Sequence, residues 1–169
     1  MTLGDLKYCS FCANSLVLKI FDGKKRHYCS NCKRFTFLNP KLVSIGLIVQ
    51  SEKLLLVKRN LEPGKGEWAI PGGYVDQGEI VENALIREIF EETGFHTNVL
   101  GLIGIYSQLN ESVVVAAYGA KLIGGTKNEN SPEVQAVEFF SFNDLPTLAF
   151  PRDKDIIADW KRWLINYKK

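Results

Sequence analysis

Apolar residues recur along most of the chain with the short period of β-strands. From Lys41 the runs LVSIGLIV and KLLLVKR are apolar, and a short polar turn at 50–52 separates them, so they predict a β-hairpin. WAIPGGYV predicts a short strand and a turn, and further strands are predicted at VLGLIGIYSQ, SVVVAAYGAKLI and VEFFSF. The segments NLEPGKGE and GGTKNENSPE are rich in Gly, Pro and Asn, and they predict loops.

Two segments show the helical period instead. A helix is predicted from Glu79 to Thr93, and Gly94 follows it as a residue suited to the left-handed conformation that ends helices. The segment DKDIIADWKRWLINY predicts a second helix, with one apolar side formed by Ile156, Trp160, Trp163, Leu164 and Tyr167. The order β, β, helix, β, β, β, helix predicts an α/β sandwich with a mixed sheet.

The chain before Lys41 has a different pattern. SLVLKIF alternates, Asp22-Gly23 predicts a tight turn, and the chain then returns toward a second pair of cysteines, so this part reads as a hairpin. Asn39-Pro40 is typical of a connection between structural units. We therefore expect a small N-terminal domain at 1–38 and a main domain at 39–169.

Composition limits the classes of partner. The 169 residues are 46% apolar and 24% charged, which fits one globular domain with a small addition. The net charge of +2 gives no whole-chain reason to expect nucleic acid or a membrane as a partner. No apolar run approaches the roughly 20 residues that span a bilayer, and MTLGDLKYCS does not resemble a secretory signal. We therefore expect a soluble, cytoplasmic protein.

The four cysteines form two C-x-x-C pairs, separated by 16 residues: Cys9, Cys12, Cys29 and Cys32. This spacing is typical of a four-thiolate zinc site. The alternatives are two disulfides or unrelated reduced thiols. The lack of a secretory signal argues against disulfides, and neither pair opens a helix as a redox pair does. With four sulfur ligands the zinc would be structural, and the N-terminal domain would be a zinc ribbon.

The same segment carries a group of basic residues. Lys24, Lys25 and Arg26 follow one another, and Lys33 and Arg34 lie beside the second cysteine pair. Such a group is compatible with an ordinary solvated surface, or with contact to nucleic acid or an anionic substrate. The sequence leaves both interpretations open.

The first predicted helix carries three carboxylates, Glu88, Glu91 and Glu92, close to its C-terminal end. Like charges at this spacing repel one another, and the helix dipole disfavours anions there. The apolar stripe begun by Val81 and Leu85 continues into this carboxylate group. Carboxylates at the edge of a core are costly unless they are paired or bind a metal. Their oxygens suit Mg²⁺ or Mn²⁺, so we predict a divalent cation site; the alternative is a solvated acidic helix face.

The stretch around this helix resembles the Nudix box. That pattern is Gly, five residues, Glu, seven residues, Arg-Glu-apolar, one residue, Glu-Glu, one residue, Gly-apolar. Every required position is filled, by Gly73, Glu79, Arg87, Glu88, Ile89, Glu91, Glu92, Gly94 and Phe95. The resemblance implies the α/β/α Nudix fold and hydrolysis of a nucleoside diphosphate linked to another group. It also implies that the carboxylates of Glu88, Glu91 and Glu92 and the Gly73 carbonyl hold the metals, and that Glu79 pairs with Arg87.

The resemblance extends to Nudix hydrolases that carry an N-terminal zinc ribbon. The segments FLNPKLVSIGLIV and LLLVKRNLEPGKGEWAIPGGYVDQGE are similar to the plant plastid type that hydrolyses FAD and ADP-ribose, and to its bacterial relatives. The Ser-Gln-Pro-Trp-Pro-Phe-Pro segment of the NADH-hydrolysing branch is absent from the sequence. FAD or ADP-ribose is therefore the implied substrate, with release of AMP. NADH or nucleoside triphosphate hydrolysis stays open, as does a ligand sensor, although the intact box argues against a sensor.

Two further polar residues are candidates for the site. Glu133 lies in the loop before the last strand, where other Nudix members carry a catalytic or metal-binding Glu, and it is a candidate proton acceptor besides Glu88 or Glu91. Its alternative is an ordinary loop residue. Arg59 follows the KLLLVK strand and can contact a phosphate through its guanidinium.

Several aromatic residues have two interpretations. Trp68, Tyr106 and Tyr118 can each stack on adenine or flavin, or can belong to the core. Phe90 lies roughly opposite Leu85 on the first helix, so it needs cover from the ribbon, from the C-terminal helix or from a second subunit. The sequence therefore leaves a homodimer open.

Overall fold

The computed structural model describes residues 6–128 and 131–167. The chain divides into two compact units, Met1–Pro40 and Lys41–Lys169. The domain boundary expected after residue 38 stays a prediction. Residues 129 and 130 of the predicted GGTKNENSPE loop lie outside the described residues.

The first unit contains a three-stranded antiparallel sheet in the order β1 (Val17–Phe21), β2 (Lys24–Cys29) and β3 (Arg34–Thr36). The predicted hairpin is confirmed, and both residues of its Asp22-Gly23 turn have positive φ. Strand β3 is an addition to the predicted elements, because three residues are too few to show an alternating pattern.

The second unit is a mixed sheet with two helices. Its elements are β4 (Lys41–Gln50), β5 (Lys53–Arg59), β6 (Trp68–Ala69), β7 (Gly72–Tyr74), α1 (Val81–Thr93), β8 (Phe95–Ser107), β9 (Val113–Gly125), β10 (Val134–Ser141) and α2 (Arg152–Tyr167). The main strand order is β10-β5-β4-β9-β8, with β6 added on β5 and β7 on β4. Strands β4 and β9 pair in parallel and the other pairs are antiparallel, so the predicted mixed sheet is confirmed.

Each face of this sheet packs against one helix. Successive residues of β5 alternate between the two sides: Leu54 and Leu56 join the cluster that contains α2, whereas Leu55 and Val57 join the cluster that contains α1. The helices contribute Leu85 and Ile89 from α1, and Ile156, Ile157 and Trp160 from α2. All of these side chains are almost completely buried, and each contributes about 1.5–3 kcal/mol by its transfer from water. The α/β/α sandwich is therefore confirmed.

Helix α1 differs from its prediction at one end only. It begins at Val81, two residues later than expected. Glu79 therefore lies in the preceding turn, where its carboxylate accepts the Asp76 N–H at 3.2 Å and does not occupy the first helical turn. At the other end Gly94 has φ of 75° and its N–H donates to the helix, which confirms its predicted role.

The cover of Phe90 comes from its own unit. Its ring stacks on the imidazole of His96 in β8, with ring centres 4.7 Å apart, although nearly half of Phe90 stays exposed. Among residues 6–128 and 131–167, no helix has the length and apolar character needed to cross a membrane.

Candidate active site

Two adjacent glycines bring the backbone of β7 against the end of α1. The Gly72 N–H donates to Oε2 of Glu92 at 2.9 Å. Gly72 has φ of 141° and lies so close to β4 that a Cβ would collide with the Ser44 carbonyl oxygen. A Cβ on Gly73 would likewise collide with the carboxylate of Glu88. The glycine pair therefore allows the backbone to contact two of the three helix carboxylates.

The guanidinium of Arg87 hydrogen bonds with three acidic side chains, those of Glu79, Glu88 and Glu91. Its Nε and Nη2 donate to the two oxygens of Glu79, each at 2.9 Å, in a bidentate pair. Its Nη1 donates to Glu88 at 2.8 Å and to Glu91 at 3.2 Å, and Nη2 also reaches the Tyr74 carbonyl at 3.2 Å. Hydrogen bonding to Arg87 lowers the pKa of Glu79. Arg87 thus brings together four of the five acidic and basic residues of the sequence motif, all except Glu92.

Glu92 is the buried member of the cluster, with only 8% of the residue exposed. Burial raises its pKa to about 8, in opposition to the lowering by the Gly72 N–H. The negative charges of Glu88 and Glu133 raise this pKa further, whereas the charge of Arg59 lowers it. Burial also raises the pKa of Glu88. Without a bound cation, burial therefore favours the protonated form of these two carboxyl groups.

The donor chemistry of this site fits a hard divalent cation. Glu88, Glu91, Glu92 and the Gly73 carbonyl offer oxygen ligands only, which suits Mg²⁺ or Mn²⁺. Within the described residues, the carboxylates do not converge as tightly as the cysteine sulfurs do. Arg87 explains this spread, because it holds Glu88 and Glu91 from one side while Gly72 holds Glu92 from another.

Glu133 and Arg59 lie at the edge of the carboxylate cluster. Glu133 is exposed, its carbonyl accepts the Asn60 N–H at 2.8 Å, and its charge raises the pKa of Glu88. Arg59 ends β5, donates through Nε to the Pro63 carbonyl at 2.8 Å and stands over the Phe150 ring at 5.1 Å. A phosphate contact by Arg59 and proton transfer to Glu133 stay predictions.

The three aromatic candidates make core contacts. Trp68 meets the ring of Phe140 edge to face at 4.6 Å and packs against the cluster that contains α2. The Tyr106 hydroxyl donates to Asp159 at 2.9 Å. Tyr118 is buried in the cluster that contains α1. These contacts favour the core interpretation, and stacking of Trp68 on a substrate base stays a prediction.

Asp153, in the first turn of α2, is a residue that the sequence analysis missed. It is 2% exposed, and the backbone of Ile70, which directly precedes the Pro71-Gly72 step, acts to lower its pKa. Its Oδ2 has no hydrogen-bond partner among the described residues. Burial raises its pKa to about 6, although Arg152 and Arg59 lower it. An Asp in a first helical turn is ordinary because of the helix dipole, so the sequence carries no signal of this role.

The four cysteine sulfurs of the first unit all lie within 4.8 Å of one another. Those of Cys12 and Cys29 are 3.5 Å apart and those of Cys9 and Cys32 are 4.0 Å apart. A tetrahedral zinc with Zn–S bonds of about 2.3 Å requires sulfurs about 3.8 Å apart. All four cysteines are free of disulfides, so the cluster fits one structural zinc ion.

Comparison with known proteins identifies relatives mainly of the second unit. A family model for the NUDIX domain matches residues 40–161. The ADP-ribose pyrophosphatase of Methanocaldococcus jannaschii is 41% identical over 131 residues, which cover 75% of this chain and 76% of that protein. The putative 8-oxo-dGTP diphosphatase of Bacillus subtilis is 34% identical over 112 residues, covering 66% and 73%. A solved NUDIX hydrolase from Nitrosomonas europaea has a TM-score of 0.80 and 28% identity, covering 90% of this chain and 88% of that one.

The raised pKa of Asp153 predicts a dependence of stability on pH. Because its folded-state pKa of about 6 exceeds the ordinary 3.8, the folded protein binds this proton more tightly, and stability falls as pH rises through that window. Asp153→Asn keeps an oxygen acceptor without the charge. Relative to wild type, its free energy of unfolding should rise between about pH 4 and pH 7 by on the order of 1.4 kcal/mol per unit of pKa shift.

Urea denaturation of the variant and of wild type at about pH 4 and pH 7 measures this difference in the free energy of unfolding. Asp155→Asn is the matched control, because Asp155 is exposed in the same helix, and it should show no such change. A stability difference for Asp153→Asn that is independent of pH would contradict the prediction.

The sulfur geometry predicts that Cys12→Ser abolishes zinc binding, because a structural zinc site needs all of its thiolates and couples metal binding to folding. The variant should lose zinc by elemental analysis, and the segment 6–40 should become sensitive to protease. Ser10→Ala, an exposed change in the same turn, should retain zinc. Unchanged zinc content in Cys12→Ser, or a native disulfide in mass mapping, would exclude the thiolate site.

Proposed function

The chain belongs to the Nudix family, and from that premise we propose that this hydrolase cleaves the diphosphate of ADP-ribose to AMP and ribose 5-phosphate. The single observation that supports the chemistry best is the buried Glu92, held by the Gly72 N–H beside Glu88. The 41% identity with an ADP-ribose pyrophosphatase, over three quarters of both chains, supports the substrate. FAD shares the ADP half of this substrate, so a site that binds adenosine diphosphate can accept both.

In this proposal the helix carboxylates and the Gly73 carbonyl bind the divalent cation. Glu88, Glu91 and Glu92 supply the anionic oxygens, and Arg87 with Glu79 keeps the first two in position. A bound Mg²⁺ or Mn²⁺ would neutralise charge on the diphosphate and lower the pKa of the attacking water.

The remaining residues handle the proton and the phosphate. The water oxygen forms a bond to one phosphorus, the bridging P–O bond breaks, and the water proton passes to a carboxylate. Glu133 is proposed as that acceptor because it is exposed and its charge acts on both Glu88 and Glu92. Arg59, whose charge also reaches Glu92, is proposed to bind a phosphate oxygen, and Trp68 to contact the base.

A nucleoside triphosphate is the second candidate substrate. The observation in its favour is the 34% identity with the putative 8-oxo-dGTP diphosphatase of Bacillus subtilis. Both reactions use the same metal-assisted attack on a diphosphate, so the catalytic cluster does not discriminate between them. Discrimination must come from groups that bind the two flanks of the diphosphate differently.

A substrate panel tests the proposal. Purified protein with Mg²⁺ or Mn²⁺ would be assayed on ADP-ribose, FAD, NADH and 8-oxo-dGTP, with the products separated by chromatography. We expect the highest kcat/KM for ADP-ribose, with FAD next. A kcat/KM for NADH or for 8-oxo-dGTP that exceeds both by about ten-fold, equivalent to about 1.4 kcal/mol, would overturn the substrate assignment.

The cation proposal predicts that Glu92→Gln lowers kcat by about 10²-fold or more, because it removes a carboxylate that can ligate the cation. The amide can still accept the Gly72 N–H, so the melting temperature in metal-free buffer should not fall. Glu82→Gln is the matched control, because Glu82 lies in the first turn of the same helix and is exposed. Its hydrogen bond among the described residues comes from the Tyr118 hydroxyl, at 3.4 Å. Near-full activity of Glu92→Gln would exclude the proposed role.

A further inference from the structure

The two units carry charges of opposite sign. Residues 1–40 contain seven Lys and Arg against two Asp and Glu, whereas residues 41–169 contain 14 against 17. The first unit keeps a positive charge even when four thiolates around a divalent zinc are counted. The ion pairs of the described residues involve only Arg87 and Arg162, both in the second unit. The cations of residues 6–40, called the ribbon below, are therefore not neutralised by carboxylates of the described chain.

The pairing of the three ribbon strands places several aromatic rings on the same side of the sheet. Tyr28 in β2 is paired with Phe35 in β3, and their ring centres are 4.8 Å apart. Phe21 lies 4.7 Å from Phe35 and 6.1 Å from Phe37. These four residues form the ring face. Phe21 is 44% exposed and Phe37 is 49% exposed, so the ring face is open to a partner.

Cations alternate with these rings. The Lys19 ammonium lies 3.9 Å from the centre of the Tyr28 ring, and the Arg26 guanidinium lies 4.8 Å from that of Phe37. This combination of exposed rings and nearby cations is the one that proteins use for single-stranded nucleic acid, where bases stack on rings and phosphates contact Lys and Arg.

A cavity of about 380 Å³ borders strands β2 and β3, mainly on the side of the sheet opposite the ring face. Its lining consists of Lys24, Lys25, Arg26, His27, Thr36 and Leu38. His27 is 4% exposed, and its Nδ1 has no partner among the described residues; the same is true of the Arg26 Nε. Buried polar atoms without partners are costly. Because Arg26 and His27 are consecutive strand residues, their side chains point to opposite sides of the sheet. The exposed cations at this cavity are Lys24 and Lys25, and both can contact a phosphate.

We propose that the ribbon binds single-stranded nucleic acid, with bases on the ring face and backbone phosphates on the Lys and Arg side chains around it. A duplex keeps its bases stacked inside, so it cannot use the ring face. This proposal reverses the expectation drawn from the net charge of the whole chain. The small net charge of the whole chain is the sum of a positive charge on the ribbon and a negative charge on the second unit. The proposal is independent of which nucleotide the active site hydrolyses.

The first test measures fluorescence anisotropy of labelled single-stranded oligouridylate, and of a duplex of equal length, with zinc-loaded full-length protein. Lys24→Glu/Lys25→Glu reverses two exposed charges at the cavity. We expect binding to be at least about ten-fold weaker. The slope of log K against the logarithm of the salt concentration should decrease in magnitude by about 1.4, which is about 0.7 for each of two lost phosphate contacts. Lys53→Glu/Lys121→Glu makes the same charge change at exposed sites of the second unit and should bind like wild type.

A second variant separates stacking from charge. Phe37→Leu keeps an apolar side chain but removes the ring, so binding should weaken about five-fold or more while zinc content stays unchanged. Leu109→Ala, at a 92% exposed site of the second unit, is the control. Equal binding by the ribbon and control variants would overturn the proposal, as would tighter binding of duplex or full competition by inorganic phosphate. A dimer in light scattering that Phe37→Leu dissociates would assign the ring face to a second copy and would also overturn it.

Discussion

A carboxylate buried at the end of an apolar helix stripe constrains the rest of the second unit. Glu92 continues the row of Leu85 and Ile89 into the core, where an unpaired anion is strongly disfavoured. Its described hydrogen bond comes from the Gly72 N–H, and that donor reaches Glu92 only because residue 72 has no side chain. The position of β7 against β4, the glycine pair and the charges around the site all follow from placing this one acid inside the fold.

Two buried acids hold the same short segment from opposite layers of the sandwich. Asp153 in α2 interacts electrostatically with the backbone of Ile70, and Glu92 in α1 accepts a hydrogen bond from the Gly72 N–H, two residues later. The charge of Arg59 acts favourably on both acids. Polar interactions with both helices thus position the segment that contains Gly73. This segment has a defined position although it lacks bulky side chains, which would fill the site.

Periodic features of the sequence predict most of this fold. The runs that became β4, β5, β8 and β9 are long and strongly apolar, and the row from Val81 to Glu92 shows which side of α1 is buried, so both the mixed sheet and the burial of Glu92 could be anticipated. Features that depend on distant contacts could not. Asp153 has the pattern of a surface residue at a helix start, and Glu79 lies outside the helix because Arg87 and Asp76 hold it there. The ring face likewise depends on the register of β2 with the unpredicted β3.

The contacts of Arg87 also have a consequence for how such a sequence can change over time. One guanidinium joins Glu79, Glu88, Glu91 and the Tyr74 carbonyl, and a lysine ammonium lacks the planar fork that makes several of these bonds at once. A lineage that lost Arg87 would retain closely spaced anions with no cation between them, so further losses among the acids would relieve repulsion and be favoured. Decay of this motif should therefore be cooperative: descendants should retain nearly all of it or very little.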